Sequence, residues 1–122
     1  MKPSMRIEEV YSDSRLSKED MAAINALLDQ LSPATQHTFN RGDLSSMLIR
    51  CATFLVVRDT ERDDLIIGTI TLMRVPKPTG WYAEIQDNVV HATYHGQGIG
   101  RALTEKAIEL ARDDCRVRYI EL

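Results

Sequence analysis

AEIQDNVVHATYHGQGIGRALTEKAIELAR, residues 83–112, carries the reading of the fold. Its first part belongs to a strand over 81–91, WYAEIQDNVVH. Its last part is a helix, because Ile99, Leu103, Ala107, Leu110 and Ala111 recur at a spacing that lines one helical face. Between them, Gly96, Gly98 and Gly100 stand on alternate positions. The first turn of a helix leaves backbone N–H groups without partners, and its dipole puts a partial positive charge there. A strand, a glycine loop and a helix start therefore make a cradle for an anion such as a pyrophosphate. In an open sheet that ligand sits outside the carboxyl end of the strand, where this loop lies. Two familiar phosphate loops do not fit. A Walker loop needs Gly-Lys-Ser/Thr, whereas Gly100 is followed by Arg101 and Ala102. A dinucleotide fingerprint needs G-x-G-x-x-G, and here the spacing is G-x-G-x-G.

Working outward, residues 115–122, CRVRYIEL, read as a fifth strand. A helix between strands four and five makes them parallel, joined by a right-handed crossover. Upstream, 53–59 and 65–75 flank the polar TERDD and read as an antiparallel hairpin. Gly68 inside the second of these strands marks a bulge or a close backbone approach. A first strand covers 5–10. A helix follows, with Ser17 as N-cap, Glu19 and Asp20 in the first turn, a stripe of Met21, Ile24, Leu28 and Leu31, and Pro33 beyond its end. A shorter helix covers 41–50, with Leu44, Met47 and Leu48 inward. The order is β-α-α-β-β-β-α-β. The class is α+β (mixed α/β), with an antiparallel first part, a parallel end, and residues 1–122 as one domain.

Composition narrows the function. The chain has 122 residues, 43% hydrophobic and 27% charged, as in ordinary globular proteins. A net charge of -3 gives no nucleic-acid footprint. No apolar run approaches the ~18 residues of a membrane span, and the N-terminus has no signal-peptide core. Cys51 and Cys115 have neither metal-type nor redox-type spacing, and read as core thiols of a reduced, cytoplasmic protein. No metal is expected.

VVHATYHGQGIGRALTEKAIELAR resembles motif A of the GNAT N-acetyltransferase superfamily. That motif reads approximately Val-x-x-x-x-Arg/Gln-Gly-x-Gly-x-Gly/Ala ahead of an amphipathic helix. Here Val90, His95, Gly96, Gln97, Gly98, Ile99 and Gly100 stand at those positions. AEIQDNVV is similar to the family's fourth strand, and the order of elements matches from residue 5 to 122. The resemblance implies an acyl-CoA N-acyltransferase-like fold and acetyl-CoA as cosubstrate. The pyrophosphate would rest on the amides of Gln97, Gly98, Ile99, Gly100 and Arg101. The pantetheine arm would pair with the backbone of Asn88, Val89 and Val90, where strands four and five splay. A backbone N–H near Val89 or Val90 would polarise the acetyl carbonyl, and a neutral primary amine would attack the thioester directly.

Several residues depart from the pattern or need a reason. His95 replaces the Arg/Gln, which implies weaker and more pH-sensitive cofactor binding. Plain alternation puts Glu84, Gln86 and Asn88 on one face of strand four, with Asp87 opposite unless a bulge re-aims it. Buried without partners, such groups cost roughly 1–3 kcal/mol each, so they belong at a wet cleft or in hydrogen bonds. Glu84 is therefore the first candidate for the general base and Asp87 the second. The plainer reading is that both satisfy neighbouring backbone. Tyr94 reads as a packing residue. His91 reads as facing water at the strand end. Trp81 and Tyr82 are candidates to wall an acceptor pocket or to pack at the strand edge. Family members usually continue past the fifth strand with a helix and two strands, where a Tyr often protonates the CoA thiolate, whereas this sequence stops at Leu122. An exposed fifth-strand edge invites pairing, so a homodimer is expected. The alternative function is a non-catalytic CoA-binding or interaction module of the same fold. A plain α/β domain with tight glycine packing fits the polar fourth strand less well. The acceptor is a small-molecule or peptide amine, with aminoglycosides, polyamines, amino acids, peptides and protein N-termini all open.

Overall fold

A computed structural model describes residues 1–122, apart from the side chain of Ser14. The elements are β1 (Met5–Val10), α1 (Lys18–Leu31), α2 (Arg41–Ile49), β2 (Thr53–Asp59), β3 (Leu65–Val75), β4 (Trp81–Val90), α3 (Ile99–Asp113) and β5 (Val117–Glu121), with 3-10 turns at 13–15, 60–62 and 92–94. The strands form one sheet in chain order. Neighbours are antiparallel from β1 to β4, and β4 and β5 are parallel. This is the mixed α+β architecture that the order of elements implies.

Local chemistry starts the helices. At α1, the Ser17 hydroxyl accepts from the Asp20 amide while the Asp20 carboxylate accepts from the Ser17 amide, each at 3.0 Å. Asn40 and Asp43 build the same reciprocal cap on α2. Each cap satisfies orphan donors and is worth about 1 kcal/mol. The stripe of α1 is rotated from the expected one. Met21, Ile24 and Leu27 are buried, whereas Leu31 is exposed, because the helix ends there.

Two cores result, one on each side of the sheet. Ile99, Leu103, Ala107 and Ala111 of α3 pack with Leu55, Val57, Ile67, Ile70, Leu72 and Ala83. Met21, Ile24 and Leu27 of α1 and Leu44 of α2 pack with Phe54, Val56, Ile66 and Val89. Burying each such side chain contributes about 1.5–3 kcal/mol. Gly68 meets both sequence expectations. A bulge lies beside it, since Val57 pairs with Gly68 but Arg58 with Ile66. A Cβ there would also lie 3.4 Å from Leu103 Cδ1 and from the Val89 carbonyl.

Arg58 ties β1, β2 and α1 together. Its guanidinium donates to Glu8 at 3.0 Å and to both Asp20 oxygens at 2.9 and 3.0 Å. Burial alone would raise the Asp20 pKa, but Arg58 and the Ser17 amide outweigh it and hold the carboxyl below its ordinary range. β5 begins at Val117, two residues later than expected. Asp114, Cys115 and Arg116 form a turn in which Arg116 clamps the Asp114 carboxylate at 2.8 and 3.0 Å. That turn leaves Cys115 exposed, and Cys51 is only half-buried, so neither is the core thiol that composition suggested. No helix among the described residues is long and apolar enough to cross a membrane.

Candidate active site

The site is organised by an irregularity in β4. Thr69 pairs with Val89, but Thr71 pairs with Gln86, so Asp87 and Asn88 together stand against Ile70. Asp87 takes a left-handed backbone, φ 53°, which makes room for the extra residue. Aspartate tolerates that region better than most residues. The bulge corrects the simple alternation. Asn88 swings to the α3 side, where its Nδ2 donates to the Gly100 carbonyl at 3.2 Å and to Thr104 Oγ1 at 2.9 Å. Asp87 joins Gln86 instead, on the α1–α2 side.

The second feature is an opening between strands. β5 pairs with β4 only from Trp81 to Glu84. From Ile85 onward, the side of β4 away from β3 has no strand beside it among the described residues. Antiparallel bonds alternate along a strand. The His91 N–H donates to the Ile67 carbonyl at 2.7 Å, so Val90 turns its polar groups toward the opening. The Val90 carbonyl accepts from Gln30 Nε2 at 2.7 Å and from His95 Nε2 at 2.8 Å. Its N–H is the group left facing the opening, and Val89 is buried beneath.

The glycine loop follows. Gly96 and Gly98 have φ of 82° and 79°, the left-handed region that side chains disfavour. A Cβ at Gly96 would meet nothing within 4 Å, so its conformation, and not crowding, asks for glycine. Gly98 is the N-cap of α3 and supplies no side-chain cap. The first helical bond runs from the Ala102 amide to the Gly98 carbonyl at 3.0 Å, which leaves the amides of Ile99, Gly100 and Arg101 without helical carbonyls. Ile99 and Gly100 line a cavity of about 290 Å³ between Asn88 and Val90 on the strand and His95, Gly96 and Gly98 on the loop. His95 is thus a loop clamp, bonded back to the strand. Gln97 turns its side chain to a separate cleft near Tyr94 and Asp59. The Arg101 side chain is exposed and pairs with Glu105 at 3.0 Å, away from this cavity's lining.

On the opposite face of the sheet, a cavity of about 330 Å³ lies between α1, α2 and strands β2–β4. Asp87 and Gln86 line it. Glu84 does not: it is half-buried, accepts from Gln86 Nε2 at 2.8 Å, and holds the Tyr82 phenol above its ordinary pKa by hydrogen bonding. Tyr82 stacks on Tyr119 with ring centroids 5.3 Å apart, and Arg116 lies over Trp81, so both aromatics pack along β4–β5 and neither walls the cavity. Tyr94 is buried and donates to Asp59 at 2.7 Å, a packing role. His91 is half-buried, and its Nδ1 accepts from the Thr93 amide. Residues that the sequence did not single out also matter here. Gln30 donates to the Val90 carbonyl and accepts from the Ala92 amide at 3.0 Å, and Thr104 fixes Asn88. Neither carries a local signal, because each acts across 16 residues or more.

Comparison with known proteins agrees with this fold. The family model described as the acetyltransferase (GNAT) family matches residues 21–122. The comparison with curated proteins found no match. Among solved structures, an acetyltransferase from Trypanosoma brucei superposes with a TM-score of 0.75 at 22% identity, covering 97% of this chain and 81% of its own. Glucosamine-6-phosphate N-acetyltransferase from Arabidopsis thaliana gives 0.76 at 18%, covering 97% and 80%. An aminoglycoside acetyltransferase from an uncultured soil metagenomic sample gives 0.76 at 16%, covering 97% and 76%. At these identities the structures share the fold. With the family model spanning both helix–strand layers and the glycine loop, the chain belongs to the GNAT acetyltransferase family.

Proposed function

We propose that residues 1–122 form one domain that transfers the acetyl group of acetyl-CoA to a primary amine. The observation that carries this reading is the uncapped start of α3, opening beside the unpaired half of β4. The residues present suit the cosubstrate. Amides of Ile99, Gly100 and Arg101, with the left-handed Gly98 ahead of them, would hold the pyrophosphate. Backbone along Asn88 to Val90 would receive the pantetheine arm, with the Val90 carbonyl already engaged and its N–H available to the acetyl oxygen. Acetyl-CoA supplies an activated acyl group that a neutral amine takes by direct attack. The amine nitrogen bonds to the acetyl carbon as the carbon–sulfur bond breaks; of the two protons that leave nitrogen on the way from ammonium to amide, one goes to a carboxylate and the other ends on the departing thiolate. Asp87 suits the base role better than Glu84, since it lines the cavity and makes no hydrogen bond or ion pair of its own among the described residues.

Calorimetric titration with acetyl-CoA at pH 6 and pH 8 tests the reading. Saturable micromolar binding is expected at both pH values. Gly98→Ala should weaken binding roughly tenfold, because a Cβ at that φ costs about 1–2 kcal/mol and moves the amides. Absence of binding to the unaltered chain overturns the proposal. In turnover assays, Asp87→Asn should lose about 100-fold or more in kcat, and Glu84→Gln far less; the reverse order would return the base to Glu84.

A further inference from the structure

The cavity beside Asp87 has the lining of a hydrocarbon site with a single point of charge. Ile24, Leu28, Phe39, Met47, Phe54 and Met73 are the large apolar side chains of its wall. Phe39 and Phe54 meet at a tilted angle of 51°, centroids 5.9 Å apart. Asp87 is the one carboxylate that lines it and Arg50 the one cation, so the formal charges of the lining cancel. Thr69 and Thr71 add hydroxyls on the floor, both buried. Its size, about 330 Å³, admits on the order of ten non-hydrogen atoms at the ~30 Å³ that one water occupies.

The wall is also fixed in place. Asn25 of α1 holds Phe39 through both backbone groups, donating to its carbonyl and accepting from its amide at 2.8 Å each. Asp29 accepts from the His37 amide at 2.9 Å, and α2 starts on its reciprocal Asn40–Asp43 cap. The segment between the two helices is therefore built as a rigid side of the cavity.

These observations bear on the acceptor. A polycation would bring several charges against aromatic and thioether walls with one carboxylate to receive them and one guanidinium to repel them. Burying unpaired charge costs several kcal/mol per ion. A compact monoamine buries its body and presents one ammonium to one free carboxylate. We infer that the acceptor of this chain is a small monoamine with an aromatic or aliphatic body, seated among Phe39, Met47 and Phe54 with its amino group at Asp87. The inference rests on the transferase reading above, and excludes aminoglycosides and polyamines as the preferred acceptors.

Methyl NMR on the full chain, alone and saturated with CoA, tests this without relying on turnover. Met47 and Met73 line the cavity, and Met21 lies in the α1 core as a reporter of folding. The probes are 2-phenylethylamine, 2-phenylethanol, spermidine and kanamycin. The expected result is saturable movement of the Met47 and Met73 methyls with 2-phenylethylamine, and weaker or no response to spermidine and kanamycin. Asp87→Asn, which keeps a residue type suited to its φ, should weaken 2-phenylethylamine roughly tenfold and leave 2-phenylethanol unchanged. Asp87→Gly repeats the test should the first variant unfold. Tighter binding of spermidine or kanamycin, an unchanged affinity in both variants, or still methyls with every probe in both states overturns the inference. A chain that binds acetyl-CoA but prefers spermidine keeps the transferase reading and loses this one. A chain that takes 2-phenylethylamine but no acetyl-CoA breaks the transferase reading instead.

Discussion

One strand serves two different surroundings. On one side of β3, Ile70 and Leu72 meet a helix face of Ile99, Leu103, Ala107 and Ala111, all at 1% exposure or less, and Gly68 lets that helix approach closely. On the other side of the same strand, Thr69, Thr71 and Met73 meet a cavity of about 330 Å³. The small residues of α3 close one face. Ile24 and Leu28 of α1, Met47 of α2 and Phe39 between the helices stand off the other. The first face gives rigidity under the glycine loop, and the second keeps space for a ligand. The difference is in what the facing helices carry, since α3 buries Ile99, Leu103, Ala107 and Ala111 along one face, whereas α2 is a short helix that packs mainly through Leu44.

The sharpest way to break this comparison is to truncate both faces. Leu103→Ala should cost about 2–5 kcal/mol, because its surroundings are closed and a void remains. Met47→Ala, half-buried beside space that already exists, should cost about 1 kcal/mol. Urea midpoints at equal m-values measure both, and similar losses would mean that the two faces are equally packed. Tyr94→Phe comes next. It strips the buried Asp59 carboxylate of a 2.7 Å donor, at about 1–3 kcal/mol, with little change in acetyl-CoA affinity if Tyr94 is purely structural.

Acid separates the faces in another way. Carboxylates on both sides are held below their ordinary range, among them Asp114, chiefly by hydrogen bonding from Arg116 at the end of α3, and Asp20, by Arg58 at the start of α1. A carboxylate with a depressed folded pKa contributes stability above its unfolded value, about 3.9. That contribution is lost as pH falls through the folded value. Stability should therefore be flat above about pH 5 with respect to these groups and fall below about pH 4. Asp114→Asn should flatten part of that limb. An unchanged limb would show that Asp114 is equally bonded in the unfolded chain. The smallest effect is expected at Glu105. Its pair with Arg101 is exposed on both sides, so Glu105→Gln should stay within about 0.5 kcal/mol in thermal unfolding, with little dependence on salt.

Much of this was legible in advance, and the parts that were not share a cause. Strand and helix periods, the Ser17 cap and the glycine loop are local, so they place every element and the cradle. The β4 bulge is not local. It needs Ile70 across the ladder to accept two residues, and it decides whether Asn88 or Asp87 faces the cavity. The exposure of Cys115 likewise depends on Arg116 finding Asp114 in a turn, where periodicity reads only an apolar residue entering a strand. The cavity itself comes from helices that meet over the sheet, and no single segment carries its outline.

Gln30 gives the two sites a shared hinge pin. With one amide group it grips the carbonyl of Val90 and the N–H of Ala92, from the last turn of the helix that walls the cavity beside Asp87. α1 cannot lift to admit a bulkier guest without releasing the strand end from which the glycine loop springs. One side chain on α1 thereby ties the framework of one cavity to that of the other.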